Sequence, residues 1–186
     1  MRDAVVPTPG QTVGPFFHYA LPFDRDHLLV PPGTPGAVRL HGTVYDGSGA
    51  PVPDALLEIR QADGSGRVPA VEGSLRRDGT VFTGWGRCAT DAAGRYRFLT
   101  VEPGAVDDAP AFVSVVVLAR GLLNRLFTRA YLPGGEWERD PLLSALPPER
   151  RHTLLAHREA DGSLRFDVHL QGEAETVFLT FPGQEG

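Results

Sequence analysis

The chain has 186 residues, of which 41% are hydrophobic and 22% charged, and its formal net charge is −5. These values are typical of one globular domain, and the acidic balance gives no electrostatic reason to bind nucleic acid or an anionic membrane. The single cysteine, Cys88, excludes an internal disulfide and fits the reducing cytoplasm, where we expect the protein. No apolar segment reaches the roughly 20 residues of a membrane span, and the N-terminus lacks the apolar core of a signal peptide.

Residues 1–36 show no clear period and are interrupted by proline and glycine. Within a dozen residues they nevertheless carry the aromatic residues Phe16, Phe17, Tyr19 and Phe23. A free tail does not keep so much aromatic surface in water. We therefore expect 1–36 to be an extended N-terminal arm that packs on its own domain, on a partner, or on both, and 37–186 to be a β-domain.

The β-domain is expected to consist of short strands separated by turns rich in Gly and Asp. Apolar residues alternate or cluster over 38–44, 55–60, 96–99, 164–170 and 176–181. One helix is predicted over 148–160, with proline in its first turn and Asp161-Gly162 as its end. The pattern predicts an all-β fold, a Greek-key β-sandwich with one short helix.

A hairpin is predicted over 111–132, near the centre of the chain. Its first half is rich in valine, which predicts a strand buried on both faces. In its second half, alternation places Arg129 and Tyr131 on the face opposite Thr128 and Ala130. The spacing alone leaves two interpretations of Arg129. Either its aliphatic part covers apolar surface and its charge stays in water, or its guanidinium binds a carboxylate through two hydrogen bonds.

The histidines do not have the spacing of a strand metal site. None of His18, His27, His41, His152, His157 and His169 belongs to a His-x-His pair, which would point two ligands to one side of a strand. His41 and His169 lie in alternating segments and either meet in space or belong to a solvated strand face. A nucleophile elbow, a phosphate loop and a dinucleotide fingerprint are also missing from the sequence.

Ordered motifs along nearly the whole chain resemble the intradiol ring-cleavage dioxygenase family, and within it the alpha chains of protocatechuate 3,4-dioxygenases. The first is TPGQTVGPF at 8–16. The others are GTVYD at 42–46, GRCATD at 86–91, AGRY at 93–96, VVLARGLL at 116–123, TRAY at 128–131, RFDV at 165–168 and QGE at 171–173. Each motif is weak by itself, whereas the ordered set is specific.

The resemblance implies an enzyme built from alternating alpha and beta chains, both β-sandwiches of the transthyretin-like type. Only the beta chain of this family holds the non-haem ferric ion, Fe(III), through two tyrosines and a His-x-His pair. Laid over this sequence, the four ligand positions fall near Ser74 and on Val106, Phe112 and Ser114. The resemblance therefore implies that this chain binds no metal, has no catalytic residue of its own and is inactive alone.

The resemblance also implies that this chain contributes to the site of the beta chain. Its substrate contacts there would be Thr12, Val13, Gly14 and Pro15 of the arm and Arg129 of the hairpin. The implied reaction opens the ring of protocatechuate with O₂ to give 3-carboxy-cis,cis-muconate, with iron as Lewis acid and template. The implied partners are a beta subunit and further alpha–beta pairs in a higher-order hetero-oligomer, with no nucleic acid and no membrane.

Two alternatives stay open at this point. A self-sufficient intradiol catechol dioxygenase would need a ligand set drawn from His41, His169, Tyr45 and Tyr96. A transthyretin-like binding module would need no enzymatic site. The Gly-x-Val-x-Asp strand at 42–46 and the Asp-x-x-Gly-x-Tyr-x-Phe turn at 91–98 are typical of such modules.

Overall fold

Alternating apolar side chains build two β-sheets in the computed structural model, which describes residues 14, 16–71 and 81–181. The strands are β1 Ala37–Tyr45, β2 Leu56–Arg60, β3 Trp85–Ala89, β4 Arg95–Val101, β5 Phe112–Leu118, β6 Leu126–Tyr131, β7 His157–Arg158, β8 Leu164–Arg165 and β9 Val168–His169. The first sheet has the order β4-β1-β8-β7, with β9 also paired to β1, and the second has the order β3-β2-β5-β6. The all-β sandwich prediction is confirmed.

The core lies between the inner faces of the two sheets. Val38, Leu40 and Val44 of β1 face it from the first sheet, and Val113 and Val115 of β5 face it from the second. Strand β1 pairs with β4 and strand β2 with β3, all antiparallel, so the chain crosses between the sheets in the Greek-key manner. Burial of each of these side chains stabilises the folded state by about 1.5–3 kcal/mol.

The prediction that the valine-rich strand is buried on both faces is wrong. In β5, Val113, Val115 and Val117 are buried, whereas Phe112 and Ser114 are only half-buried. Strand β5 is antiparallel to both of its neighbours, β2 and β6, and an antiparallel sheet commonly packs one face on the core. A valine-rich run reports strand propensity, but it does not show whether a second layer covers the strand.

Three short helices and two 3-10 turns lie outside the sheets in the described part of the chain. They are α1 Phe17–Ala20, the 3-10 turn Trp137–Arg139, α2 Pro141–Ala145, α3 Pro148–Arg151 and the 3-10 turn His152–Leu154. The longest of these helices has five residues, so none of the described helices can cross a membrane.

The helix predicted over 148–160 begins at Pro148, but its helical turns end at Leu154. The prediction is wrong beyond that point because the backbone returns to the sheets. The Ala156 N–H donates to the Tyr131 carbonyl at 2.9 Å, and β7 follows. Asp161-Gly162 lies in the turn between β7 and β8 and does not end a helix.

Residues that precede β1 run along the edge of the first sheet. The Leu29 N–H donates to the Leu99 carbonyl at 2.8 Å, and the Leu99 N–H donates to the His27 carbonyl at 3.0 Å. In α1, Phe17 is buried, but Phe16 and Tyr19 are 71% and 75% exposed. The division into an arm over 1–36 and a β-domain over 37–186, and packing of the arm on a partner, stay predictions.

Gly42 in β1 lets the segment that follows β8 approach closely. A Cβ at this position would lie 1.9 Å from the Phe166 carbonyl oxygen, which is backbone and cannot swing away. The buried Tyr96 hydroxyl donates a hydrogen bond to the same oxygen. Only a residue without a side chain fits here.

Candidate functional site

A row of polar residues crosses the outward face of the second sheet. Arg60 of β2 is the cross-strand neighbour of Ser114 in β5, and Ser114 is the neighbour of Arg129 in β6. Directly opposed residues in antiparallel strands share a face, with Cβ atoms about 4.5–5.5 Å apart. Because Val113 and Val115 point into the core, this row points away from it.

Arg129 is held by contacts on two sides. Its Nη1 donates to the Tyr131 hydroxyl at 3.0 Å and lies 3.6 Å from Oδ2 of Asp140. Its guanidinium carbon lies 4.2 Å from the ring centroid of Phe112, a cation–π contact. The hydrogen bond to Tyr131 confirms that these two residues share a face. About one third of the Arg129 side chain is exposed, so the guanidinium remains accessible.

Asp140 is buried beside Arg129 because it caps helix α2. Its Oδ1 accepts hydrogen bonds from the Leu142 and Leu143 N–H groups at 2.8 and 3.0 Å, while Oδ2 faces Arg129. Proline at the next position, Pro141, suits the first turn of a helix. One carboxylate therefore orders a helix start and balances a guanidinium. The sequence predictions missed Asp140, although an Asp-Pro pair is a helix-start signal.

Tyr131 stays neutral at physiological pH. It is fully buried in a small cluster with Leu143 and Leu154, and burial raises its pKa to about 12, against a smaller lowering by the hydrogen bond from Arg129. A neutral phenol accepts the Arg129 hydrogen bond without cancelling its charge. Asp140 therefore offsets part of the Arg129 charge and Tyr131 offsets none, so the remaining N–H groups of Arg129 can still bind an anion.

A cavity of about 130 Å³ lies beside Ser114, and we call it the Ser114 cavity. Its lining residues are Arg60, Gln61, Ala62, Val68, Gly104, Val106, Pro110, Ala111, Phe112 and Ser114. The structure thus brings together three of the four positions that the resemblance assigns to iron ligands: Val106, Phe112 and Ser114. Ser74 lies outside the described residues.

The donor set of the Ser114 cavity does not fit an iron ion. At the three positions, Val106 and Phe112 offer no donor atom, and Ser114 offers one hydroxyl in place of the imidazole and tyrosine ligands that the resemblance implies. Among residues 14, 16–71 and 81–181, no group of three or more His, Cys, Asp or Glu is arranged to hold a metal.

The ligand set proposed for a self-sufficient enzyme does not converge. Tyr45 stacks on His169 with ring centroids 4.9 Å apart. His41 contacts the Glu159 carboxylate at 3.0 Å. It pairs with Arg165 in the sheet, four residues along β1 from the Tyr45–His169 pair, so it does not meet His169. The buried Tyr96 hydroxyl is bound to a backbone carbonyl, and burial raises its pKa well above its usual value.

Only one of the four arm residues predicted to touch substrate is described. Gly14 has a φ of +77°, and a Cβ built there would meet nothing within 4 Å among its surroundings. Thr12, Val13 and Pro15 lie outside the described residues. Glycine adopts this left-handed backbone without strain, and it has no side chain to hold a ligand away from the backbone.

A larger groove of about 940 Å³ lies between residues 22–27 and strands β1, β3 and β4. Its charged groups largely neutralise one another, as in the Arg39–Asp161 and Arg95–Asp91 pairs, with N–O distances of 2.6 and 3.1 Å. Burial raises the pKa of the Cys88 thiol in this groove to about 11, so it is a poor nucleophile at neutral pH. We assign no chemistry to the groove.

Comparison with known proteins supports the resemblance found in the motifs. A family model described as dioxygenase matches residues 12–172. The protocatechuate 3,4-dioxygenase alpha chain of Burkholderia cepacia is 42% identical over 192 residues, covering 92% of this chain and 96% of its own. The beta chain of the same enzyme from that organism is 32% identical, covering 95% of this chain and 81% of its own.

A solved structure agrees with the fold. The dioxygenase domain of a dioxygenase and carbohydrate-binding protein fusion from Streptomyces sp. SirexAA-E superimposes with a TM-score of 0.57 and 29% identity. The superposition covers 90% of this chain and 99% of that domain. By fold, by family model and by relatives matched over nearly their whole length, the chain belongs to the intradiol ring-cleavage dioxygenase family.

Proposed function

We propose that this chain is the alpha subunit of a protocatechuate 3,4-dioxygenase and that it completes the active site of an iron-bearing beta subunit. The observation that carries the proposal is the 42% identity to an alpha chain across nearly the full length of both chains. The donor-poor Ser114 cavity supports it, because Val106, Phe112 and Ser114 cannot hold the iron on which this family depends. The chain thus needs a partner that carries the metal.

Arg129 is the charged group that this chain offers to the substrate. Protocatechuate carries a carboxylate, and a planar guanidinium can bind a carboxylate through two parallel hydrogen bonds. Tyr131 and Asp140 contact the guanidinium through Nη1, which leaves N–H donors on its other edge. Stacking on Phe112 limits the rotation of the group. Arg129 would therefore orient the substrate ring by its acid group.

The arm supplies the second set of contacts in this proposal. Thr12, Val13, Gly14 and Pro15 would line the substrate pocket of the partner, where the backbone at Gly14 can approach closely. Just after them, the exposed Phe16 and Tyr19 offer apolar surface for burial in an interface. The arm would thus contact the substrate and also contribute to the subunit interface, both in an alpha–beta pair and in higher-order assemblies of such pairs.

The reaction follows from the two chains together. When bound by the beta subunit, ferric iron supplies Lewis-acid activation of the two adjacent hydroxyl groups. The carbon–carbon bond between the two hydroxyl-bearing carbons breaks, both atoms of O₂ enter the product, and two protons are released. The product is 3-carboxy-cis,cis-muconate. Throughout, Arg129 would hold the carboxylate, which does not react.

Reconstitution tests this proposal. The chain is purified alone and together with a protocatechuate 3,4-dioxygenase beta subunit, and each sample is assayed for iron, visible absorbance from tyrosinate-to-iron charge transfer, and O₂ uptake with protocatechuate. We expect no iron and no turnover for the chain alone, and both for the pair. Stoichiometric iron in the lone chain, or a pair no more active than the beta subunit alone, would refute the proposal.

A further inference from the structure

The Ser114 cavity has the size and the walls of a binding site for one ring. Six of its lining residues are apolar: Ala62, Val68, Val106, Pro110, Ala111 and Phe112. Its volume of about 130 Å³ is close to that of engineered apolar cavities, about 150 Å³, that bind benzene. A six-membered ring therefore fits, whereas a nucleotide or a sugar chain does not.

Arg60 brings a positive charge to this cavity. In the described part of the chain its guanidinium donates to the Pro69 carbonyl at 3.2 Å and has no carboxylate partner. Most other arginines near the two sheets do have one; Arg87, for example, binds Glu58 at 2.5 Å. A guanidinium has five N–H donors, so Arg60 can still bind an anion.

The Ser114 hydroxyl lies next to Arg60 and makes no hydrogen bond with any described residue. The third polar lining residue, Gln61, is already engaged, because its amide donates to the Val101 carbonyl at 2.8 Å and accepts from the Thr100 hydroxyl at 2.9 Å. The polar groups available to a ligand are thus one guanidinium and one hydroxyl, side by side.

We propose that the Ser114 cavity binds a small aromatic monocarboxylate. Arg60 and Ser114 bind the carboxylate, and the ring packs on Phe112 and Val106. One guanidinium beside one hydroxyl matches a single carboxylate, whereas a dianionic phosphate would meet too little positive charge and a neutral ring would make no use of the guanidinium charge. The proposal concerns this chain alone and does not depend on the proposed function.

Titration with 4-fluorobenzoate, followed by ¹⁹F NMR on the full chain purified alone, tests this proposal. We expect saturable binding of one ligand per chain. Arg60→Gln should weaken it roughly 10- to 100-fold, the loss of a charge-assisted hydrogen bond. Ser114→Leu, which fills the cavity, should abolish it. Arg125→Gln is the matched control, because Arg125 is an exposed arginine just before β6, the hairpin partner of the strand that carries Ser114. This variant should bind 4-fluorobenzoate like the unaltered chain.

Three results would overturn the proposal. The first is the absence of saturable binding, and the second is an affinity for neutral 4-fluorobenzamide equal to that for 4-fluorobenzoate. The third is binding that persists in Arg60→Gln but is lost in Arg129→Gln, which would place the ligand at Arg129. Circular dichroism checks the fold of each variant. If Ser114→Leu does not fold, Arg60→Gln decides, because Arg60 is exposed and its replacement leaves the core intact.

Discussion

Arg129→Gln separates the two roles that an arginine at this position can have. In the assembled enzyme we expect it to lower kcat/KM for protocatechuate, which has a carboxylate, and to leave kcat/KM for catechol, which has none, nearly unchanged. Asp140 lies 3.6 Å away, beyond hydrogen-bonding distance, so it offsets part of the charge but leaves the outer N–H groups available to substrate. One charge-assisted interaction of about 1.5–3 kcal/mol then corresponds to a loss of roughly 10- to 150-fold.

The assay is steady-state O₂ uptake with both substrates, reported as the ratio of the two kcat/KM values. Arg125→Gln is again the control: its guanidinium also stacks on a phenylalanine, Phe127, at 5.1 Å, but it lies at the other end of β6. An equal fall for both substrates would refute substrate binding by Arg129 and would indicate that it supports the subunit interface instead. Iron content and subunit stoichiometry of the variant identify that case.

Three further predictions concern stability. Asp140→Asn keeps the helix cap but loses the charge, and we expect it to lower the free energy of unfolding, measured in urea, by about 1 kcal/mol. Asp140→Ala also loses the cap and should lower it by about 1 kcal/mol more. Equal losses in the two variants would contradict the capping role. In the folded state the pKa of Tyr131 is raised from 10 to about 12, so the neutral phenol adds roughly 2–3 kcal/mol to the free energy of unfolding. This stabilisation is complete below pH 10 and is lost as the pH rises through 12. Tyr131→Phe should flatten that part of the alkaline decline in denaturant titrations, and an unchanged decline would refute it. Gly42→Ala, whose new Cβ meets the Phe166 carbonyl, should cost at least about 1–3 kcal/mol, and an unchanged thermal midpoint would contradict the close approach.

Alternation along the strands was enough to predict the sandwich and the shared face of Arg129 and Tyr131, because a period of two depends only on the local backbone. It could not show that the outward face of β5 is only half-buried, because this depends on how distant segments pack. The contact of Asp140 with Arg129 could not be predicted for the same reason, since it requires the segment after β6 to fold back over the sheet. The helix predicted over 148–160 failed beyond Leu154 for a related reason: sheet hydrogen bonds at Ala156 outweigh local helix propensity.

The alternation of β5 separates what this strand does for folding from what it does for chemistry. Val113, Val115 and Val117 build the interior, while positions 112 and 114 face outward. Substitutions at the outward positions therefore leave the interior unchanged, and the strand keeps its place in the fold. The same separation suggests a route for engineering, since Phe112→His and Ser114→His would place two imidazoles on this face without repacking the core.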